Sequence, residues 1–280
     1  ARTMVLWRAI TDGEDRIAIG THNHLYILEN DALYDITPLR KTTSNLTNPL
    51  KTTDESTTII VTDNSHGAIS GDFVVINSAE AIGGITAATL NQSEGYQITV
   101  LTANTYSITV SSTATSTVAA GGGTTIDIKY LIGVAAGLGQ QSGDPALGWG
   151  TGSWGGSTWG TPRSTDSSDV KLSNSQWSLN LWGEDLIATV RGGAIYYYDT
   201  SSSPNRAVLV SSLAGATSVP TTTTLTTISF PDRHVLALGT DPLSSSGNID
   251  PMQVRWSDQE DFAVWAPTVT NTAGDQRLEV

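Results

Sequence analysis

Trp7, Gly13-Glu14-Asp15-Arg16-Ile17-Ala18 and Leu25-Tyr26 are echoed by Trp177, Gly183-Glu184-Asp185-Leu186-Ile187-Ala188 and Ile195-Tyr196. In each copy the Trp stands six residues before the Gly, and the Tyr-containing pair begins seven after the Ala. A shorter third copy, Asp232-Arg233-His234-Val235-Leu236-Ala237-Leu238-Gly239-Thr240, shares the Ala-x-Gly-Thr ending of Ala18 to Thr21. Ala188 and Ala237 lie 49 residues apart. That spacing suits one blade of a β-propeller, whose sheets bury their faces on one another. The repeat therefore predicts an all-β protein of propeller-like antiparallel blades, with Trp7, Gly13, Ala18 and Tyr26 matched to Trp177, Gly183, Ala188 and Tyr196.

Outward from the first copy, residues 1–47 read as a meander. Short runs such as Arg16 to Ile19, Leu25 to Leu28 and Leu33 to Ile36 are separated by turns at Asp12-Gly13 and Asn30-Asp31, and Pro38 closes the run. Residues 48–128 hold one Lys, seven acids and no Trp, and alternate cleanly in Thr57 to Thr62, Asp72 to Ile76, Gly95 to Val100 and Thr105 to Val110. This suits a small β-barrel inserted into a propeller-like domain of residues 1–47 and 129–280, with Gly121-Gly122-Gly123 as a hinge. Residues 133–163 form a Gly/Trp-rich arm in which Trp149, Trp154 and Trp159 recur every five residues. That period fits neither strand nor helix, so these aromatics either plug into another surface or cap the local core.

Composition agrees. Thr (40) and Ser (30) make up a quarter of the 280 residues, and ordered stretches are rich in Val, Ile, Thr and Tyr, which favours strands. No stretch of a dozen residues holds a helical apolar stripe. With no Cys, thiolate metal sites, disulfides and a cysteine nucleophile are excluded. A net charge of −13 argues against a phosphate-tracking groove. No apolar run approaches the ~20 residues that span a bilayer, and Ala1 to Trp7 lacks a signal peptide's apolar core.

Catalytic chemistry finds little purchase. The Glu14-Asp15 and Glu184-Asp185 pairs offer the two carboxylates of a glycosidase, but their recurrence beside turn glycines marks them as solvated turn residues. His22-Asn23-His24 places two imidazoles two residues apart, enough for a metal only if a third ligand arrives. Asp166 to Asp169 and Asp258 to Asp261 lack the central Gly of a calcium loop. Trp256-Ser257-Asp258 lacks the Gly before the Trp that a sialidase-type Asp box needs. No catalytic residue, metal or cofactor is assigned.

Several segments together resemble the β-propeller tail nozzle, or tail-tube, proteins of short-tailed bacteriophages. They are Arg16 to Thr21 with Tyr34 to Pro38, the arm from Gly148 to Pro162, Trp177 to Asn180 with Trp182 to Leu186, and Val254 to Asp258 with Ala273-Gly274-Asp275. The inserted stretch, with Thr62 to Gly67 and Ala103 to Tyr106, looks like a small β-barrel common in phage structural proteins. The resemblance implies a non-enzymatic virion component assembled in the bacterial cytoplasm, a homo-oligomeric, hexameric ring joined to adaptor and fibre proteins, through which genomic DNA passes without being bound. The acidic balance accords with this, since it repels phosphate. Trp149, Trp154 and Trp159 then become candidate anchors of the ring interface. The alternatives are a tail module that recognises host-surface glycan and, third, a propeller glycosidase.

Overall fold

The computed structural model describes residues 3–132, 176–202 and 205–279. Its first sheet is a meander of β1 (Thr3–Arg8), β2 (Asp15–Gly20), β3 (Leu25–Glu29) and β4 (Ala32–Asp35) in that spatial order. Asn30 and Asp31, both left-handed, make the tight turn between β3 and β4 whose twist matches the strands. The chain then builds a second body from β5 (Leu39–Leu46), β6 (Leu50–Thr52), β7 (Thr58–Thr62), β8 (Phe73–Asn77), β9 (Tyr96–Gln97), β10 (Thr99–Thr102), β11 (Thr105–Thr109), β12 (Val118–Gly121) and β13 (Ile126–Leu131). A single helical turn, α1 (Ala87–Leu90), follows the capping hydroxyl of Thr86.

Strand alternation gives the second body its core. Ile59 and Val61 of β7, Tyr106 and Ile108 of β11, Val74 and Ile76 of β8, and Ile128 and Tyr130 of β13 all point into one cluster. The strands form a five-stranded sheet, β10-β11-β7-β6-β12, facing a four-stranded one, β5-β13-β8-β9. This differs from the expected closed barrel. The edge strands are short or irregular, β9 having two residues and β12 breaking register between Val118 and Gly121, so no ladder joins the sheets among the described residues. The Gly121 to Gly123 stretch is packed inside this body rather than acting as a hinge. The carbonyl of Gly122 accepts from the Glu80 amide (2.7 Å) and that of Gly123 from the Asn48 amide (2.7 Å).

Two further four-stranded meanders follow. One is β14 (Trp177–Trp182), β15 (Asp185–Val190), β16 (Ile195–Tyr198) and β17 (Val208–Leu209). The other is β18 (Thr223–Ile228), β19 (Val235–Thr240), β20 (Asp250–Trp256) and β21 (Gly274–Arg277). With β1–β4 these are three successive blades, called 1, 2 and 3 below. Their first strands lie side by side, β1 against β14 and β14 against β18. One core fills the gap between blades 1 and 2 and another the gap between blades 2 and 3. Blade 2 therefore buries both faces, and β15 is covered along Leu186 to Val190. No helix among the described residues is long and apolar enough to cross a membrane.

The blades correspond, but not residue for residue as the matched spacing suggests. The hairpin of blade 1 closes over residues 9–14 and that of blade 2 over only Gly183 and Glu184, so equal counts to a turn glycine start from differently placed ladders. Trp7 lies opposite Arg16 near the end of β1, whereas Trp177 lies opposite Val190 at the start of β14. Both Ala18 and Ala188 enter the core between blades 1 and 2, from opposite sheets. Relative to the direction of the stack, Ala18 looks ahead and Ala188 looks back. Ala188 and Ala237 do correspond, each looking back at the preceding blade. Tyr26, opposite Ile19, and Tyr196, opposite Ala188, also share the backward-looking face.

Candidate functional site

The functional candidates gather at the joints between blades. Gly13 and Gly183 take left-handed φ angles of 74° and 68° at the two hairpin tips, a conformation that disfavours side chains with a Cβ. The tight Gly183-Glu184 turn projects Glu184 onto the tip of blade 1. There its Oε1 accepts from the amides of Ile10 (2.6 Å) and Thr11 (2.8 Å), and its Oε2 from the Thr11 hydroxyl. These bonds hold the Glu184 carboxyl below the usual range, the Thr11 hydroxyl contributing most. The second acid of the pair turns inward. Asp185 accepts from the Tyr197 phenol (2.7 Å) and from the amide and hydroxyl of Thr200 (both 3.0 Å).

Two indoles cross the same joint in opposite directions. Trp7 of blade 1 donates from Nε1 to the Glu184 carbonyl (3.0 Å), and Trp177 of blade 2 donates from Nε1 to the Thr21 carbonyl (3.0 Å). The carbonyl of Trp177 in turn accepts from the Thr3 hydroxyl (2.9 Å). Gly20 makes room for this ring, because a Cβ there would stand 2.5 Å from Trp177 Cδ1. The counterpart of Trp7 in blade 2 is Trp182, at the end of β14. Trp182 looks ahead to blade 3, where the Arg233 guanidinium lies 4.5 Å from its ring centroid and Phe262 meets it edge-on at 5.5 Å. The same joint is tied by the Ser178 hydroxyl and the Asn180 amide, both donating to the Thr226 carbonyl (2.7 and 3.0 Å).

Sequence reasoning passed over Trp182, Gly20 and Asn180 as joint residues. A Gly in the Ala-x-Gly-Thr ending was the available signal for Gly20. Trp149, Trp154 and Trp159, with the rest of the 133–163 arm, lie outside the described residues, as do Asp166 to Asp169. The other candidates are dispersed. His24 is buried and stacked on Tyr26 at 5.3 Å, its pKa lowered by burial, while His22 meets Phe73 edge-on at 5.6 Å. The two imidazoles do not converge, and no cluster that could hold a metal occurs among the described residues. Asp258 binds the amides of Gln259 and Thr272, as a turn residue does.

A cleft of about 210 Å³ opens beside β16, lined by Tyr197, Tyr198, Asp199, Asn205, Arg206 and Leu213 among others. It is smaller than the ~300 Å³ at which ligand pockets usually begin. Its polar groups are largely engaged within the fold. Arg206 donates to Asp35 Oδ2 (2.6 Å) and the Thr37 carbonyl (2.7 Å) of the first blade's end, and Asp199 accepts from the Ser201 and Ser202 hydroxyls.

Blade 3 carries a buried carboxylate with a pH signature. Burial alone raises the pKa of Asp241, but the Gly247 amide (2.9 Å), the Thr221 hydroxyl (2.7 Å) and the Thr221 and Thr222 amides together hold it below its ordinary value. A depressed folded pKa contributes stability that is complete above the unfolded value of about 3.9 and is lost as pH falls through the folded one. The urea midpoint of the blades is therefore expected to drop below pH 4, and Asp241→Asn to flatten that drop while lowering the midpoint at neutral pH. An unchanged acid limb in the variant removes Asp241 from the account.

No family model matches the chain, and no curated protein matches it. Among solved structures it is similar to the phage phi92 endosialidase, at 13% identity and a TM-score of 0.28. The match covers 94% of this chain and 37% of that one, so the chain spans little more than a third of the neighbour's length.

Proposed function

We propose that the chain is a structural virion protein of a phage tail, a subunit of the nozzle or hub ring that lines part of the DNA exit path. The observation that carries this reading is the blade stack itself. Glu184 and the indoles of Trp7, Trp177 and Trp182 are used to lock one sheet onto the next. In this reading the chain has no catalytic work of its own. Its surplus of 13 negative charges keeps passing DNA mobile, and its lasting partners are copies of itself and the adjoining adaptor and fibre proteins.

The test is to raise antibody against the purified chain and image gold-labelled particles of the phage that encodes it. Label at the tail, with no retention of duplex DNA on the purified chain at 50–200 mM salt, is the expected result. Particles without label, or tight DNA retention, would overturn it. A second reading, a glycan-recognising tail module, is favoured by the cleft beside β16, where the part-exposed Tyr197 and the exposed Asn205 could meet a sugar. Binding on a glycan array that Asn205→Ala abolishes would put this reading first.

A further inference from the structure

The three blades stack with one polarity. The forward face of blade 1, with Trp7, Ala18 and Ile27, packs on the backward face of blade 2, with Leu186, Ala188 and Tyr196. The forward face of blade 2, with Trp182, Ile187 and Ile195, packs on the backward face of blade 3, with Val235 and Ala237. Among the described residues, two faces of this series have no sheet opposite. One is the backward face of blade 1, where Met4 lies opposite Ile19, Leu6 opposite Ile17, and Ile17 opposite Leu28, which pairs with Leu33. The other is the forward face of blade 3, where Leu225 lies opposite Leu238 and Leu238 opposite Val254, with Leu236 opposite Trp256 alongside.

Both faces are apolar where a solvent face should alternate to polar residues. Met4 is 65% exposed, Leu6 64%, Leu33 57% and Leu225 41%. The corresponding backward face of blade 2 is buried in a joint, and so is the forward face of blades 1 and 2. Each open face therefore presents the surface type that elsewhere in the chain meets the other. At the rim of the blade 1 face, Arg8 and Asp15 form an exposed pair at 3.7 Å, giving the apolar centre and polar edge typical of association surfaces.

We propose that a second copy of this chain covers these faces head to tail, the backward face of blade 1 in one copy packing on the forward face of blade 3 in the other. The contact continues the joints made between blades 1 and 2 and between blades 2 and 3. It is heterologous, so it must close or propagate. Closure at two copies brings six of the described blades into one ring, within the range of four to eight that propellers adopt. The proposal rests on the reading of the chain as a self-associating subunit and names the surface by which it associates.

The test uses the 280-residue chain and two single substitutions at exposed positions, Leu6→Glu on the blade 1 face and Leu225→Glu on the blade 3 face, with retained cooperative unfolding as the control for folding. Sedimentation equilibrium is expected to show a dimer for the parent chain, weakened at least about tenfold by either substitution, because each places a charge at the centre of the joint. Mixing the two variants is expected to restore association partly, since one joint in the mixed pair is unaltered. A parent chain that stays monomeric, or an oligomer indifferent to both substitutions, overturns the proposal. So does sensitivity to only one of them, which signifies a like-with-like contact. None of these outcomes bears on gold labelling of the tail, which tests the functional reading separately.

Discussion

Trp177→Ala is expected to destabilise the blades by about 3–5 kcal/mol, the cost typical of removing a fully buried aromatic. Trp177 is 1% exposed, fills the core between blades 1 and 2, and ties its indole to Thr21. Domain stabilities run to about 5–15 kcal/mol, so the loss is a large fraction of what holds the stack. Tryptophan emission reads it selectively, because residues 48–128 contain no Trp. Urea unfolding followed by that emission should shift, while the second body, followed by amide exchange at Ile59 and Tyr106, should not. The companion change is Gly20→Ala. In the parent chain it forces a methyl against Trp177 and is expected to cost about 1–3 kcal/mol, as overpacking does. In the Trp177→Ala background the ring is gone and the same change should cost much less. Strictly additive effects would mean that the two residues do not meet.

How much of this was legible in the sequence depends on which feature is asked about. Alternation in Arg16 to Ile19 or Thr57 to Thr62 encodes a half-buried strand directly, so the all-β class and the antiparallel meanders could be read. The equivalence of Ala188 and Ala237 could also be read, because both follow hairpins into the same place on the second strand. Trp7 and Trp177 misled because a spacing counts residues, whereas a face is set by where the hairpin closes. A loop of six residues in one blade and two in the other moves the ladder beneath an unchanged count. The true partner of Trp7, Trp182, stands beside Gly183 with no spacing to advertise it. The second body looked like a barrel since closure is decided at its edges, and edge strands as short as Tyr96–Gln97 carry almost no pattern. The roles of Glu184 and Gly20 depend on contacts with residues more than 150 positions away, which no local pattern records.

The Arg16–Glu29 pair tests whether a buried charge in a blade joint is there for stability. Arg16 is 4% exposed and Glu29 6%; the guanidinium Nε donates to Glu29 Oε1 at 2.8 Å and its outer nitrogen to Asp12 at the surface. Arg16→Met should cost about 3–5 kcal/mol, since it removes the guanidinium that binds the buried Glu29 carboxylate. The double variant Arg16→Met/Glu29→Leu removes both charges from a joint otherwise lined by Ala18, Ile27 and Leu186. It is expected to regain most of the loss, because desolvating an ion pair costs about as much as the pair returns. Urea midpoints of the single and double variants decide the matter. A double variant as unstable as the single one would show that the ion pair contributes more to the joint than an apolar pair of similar volume.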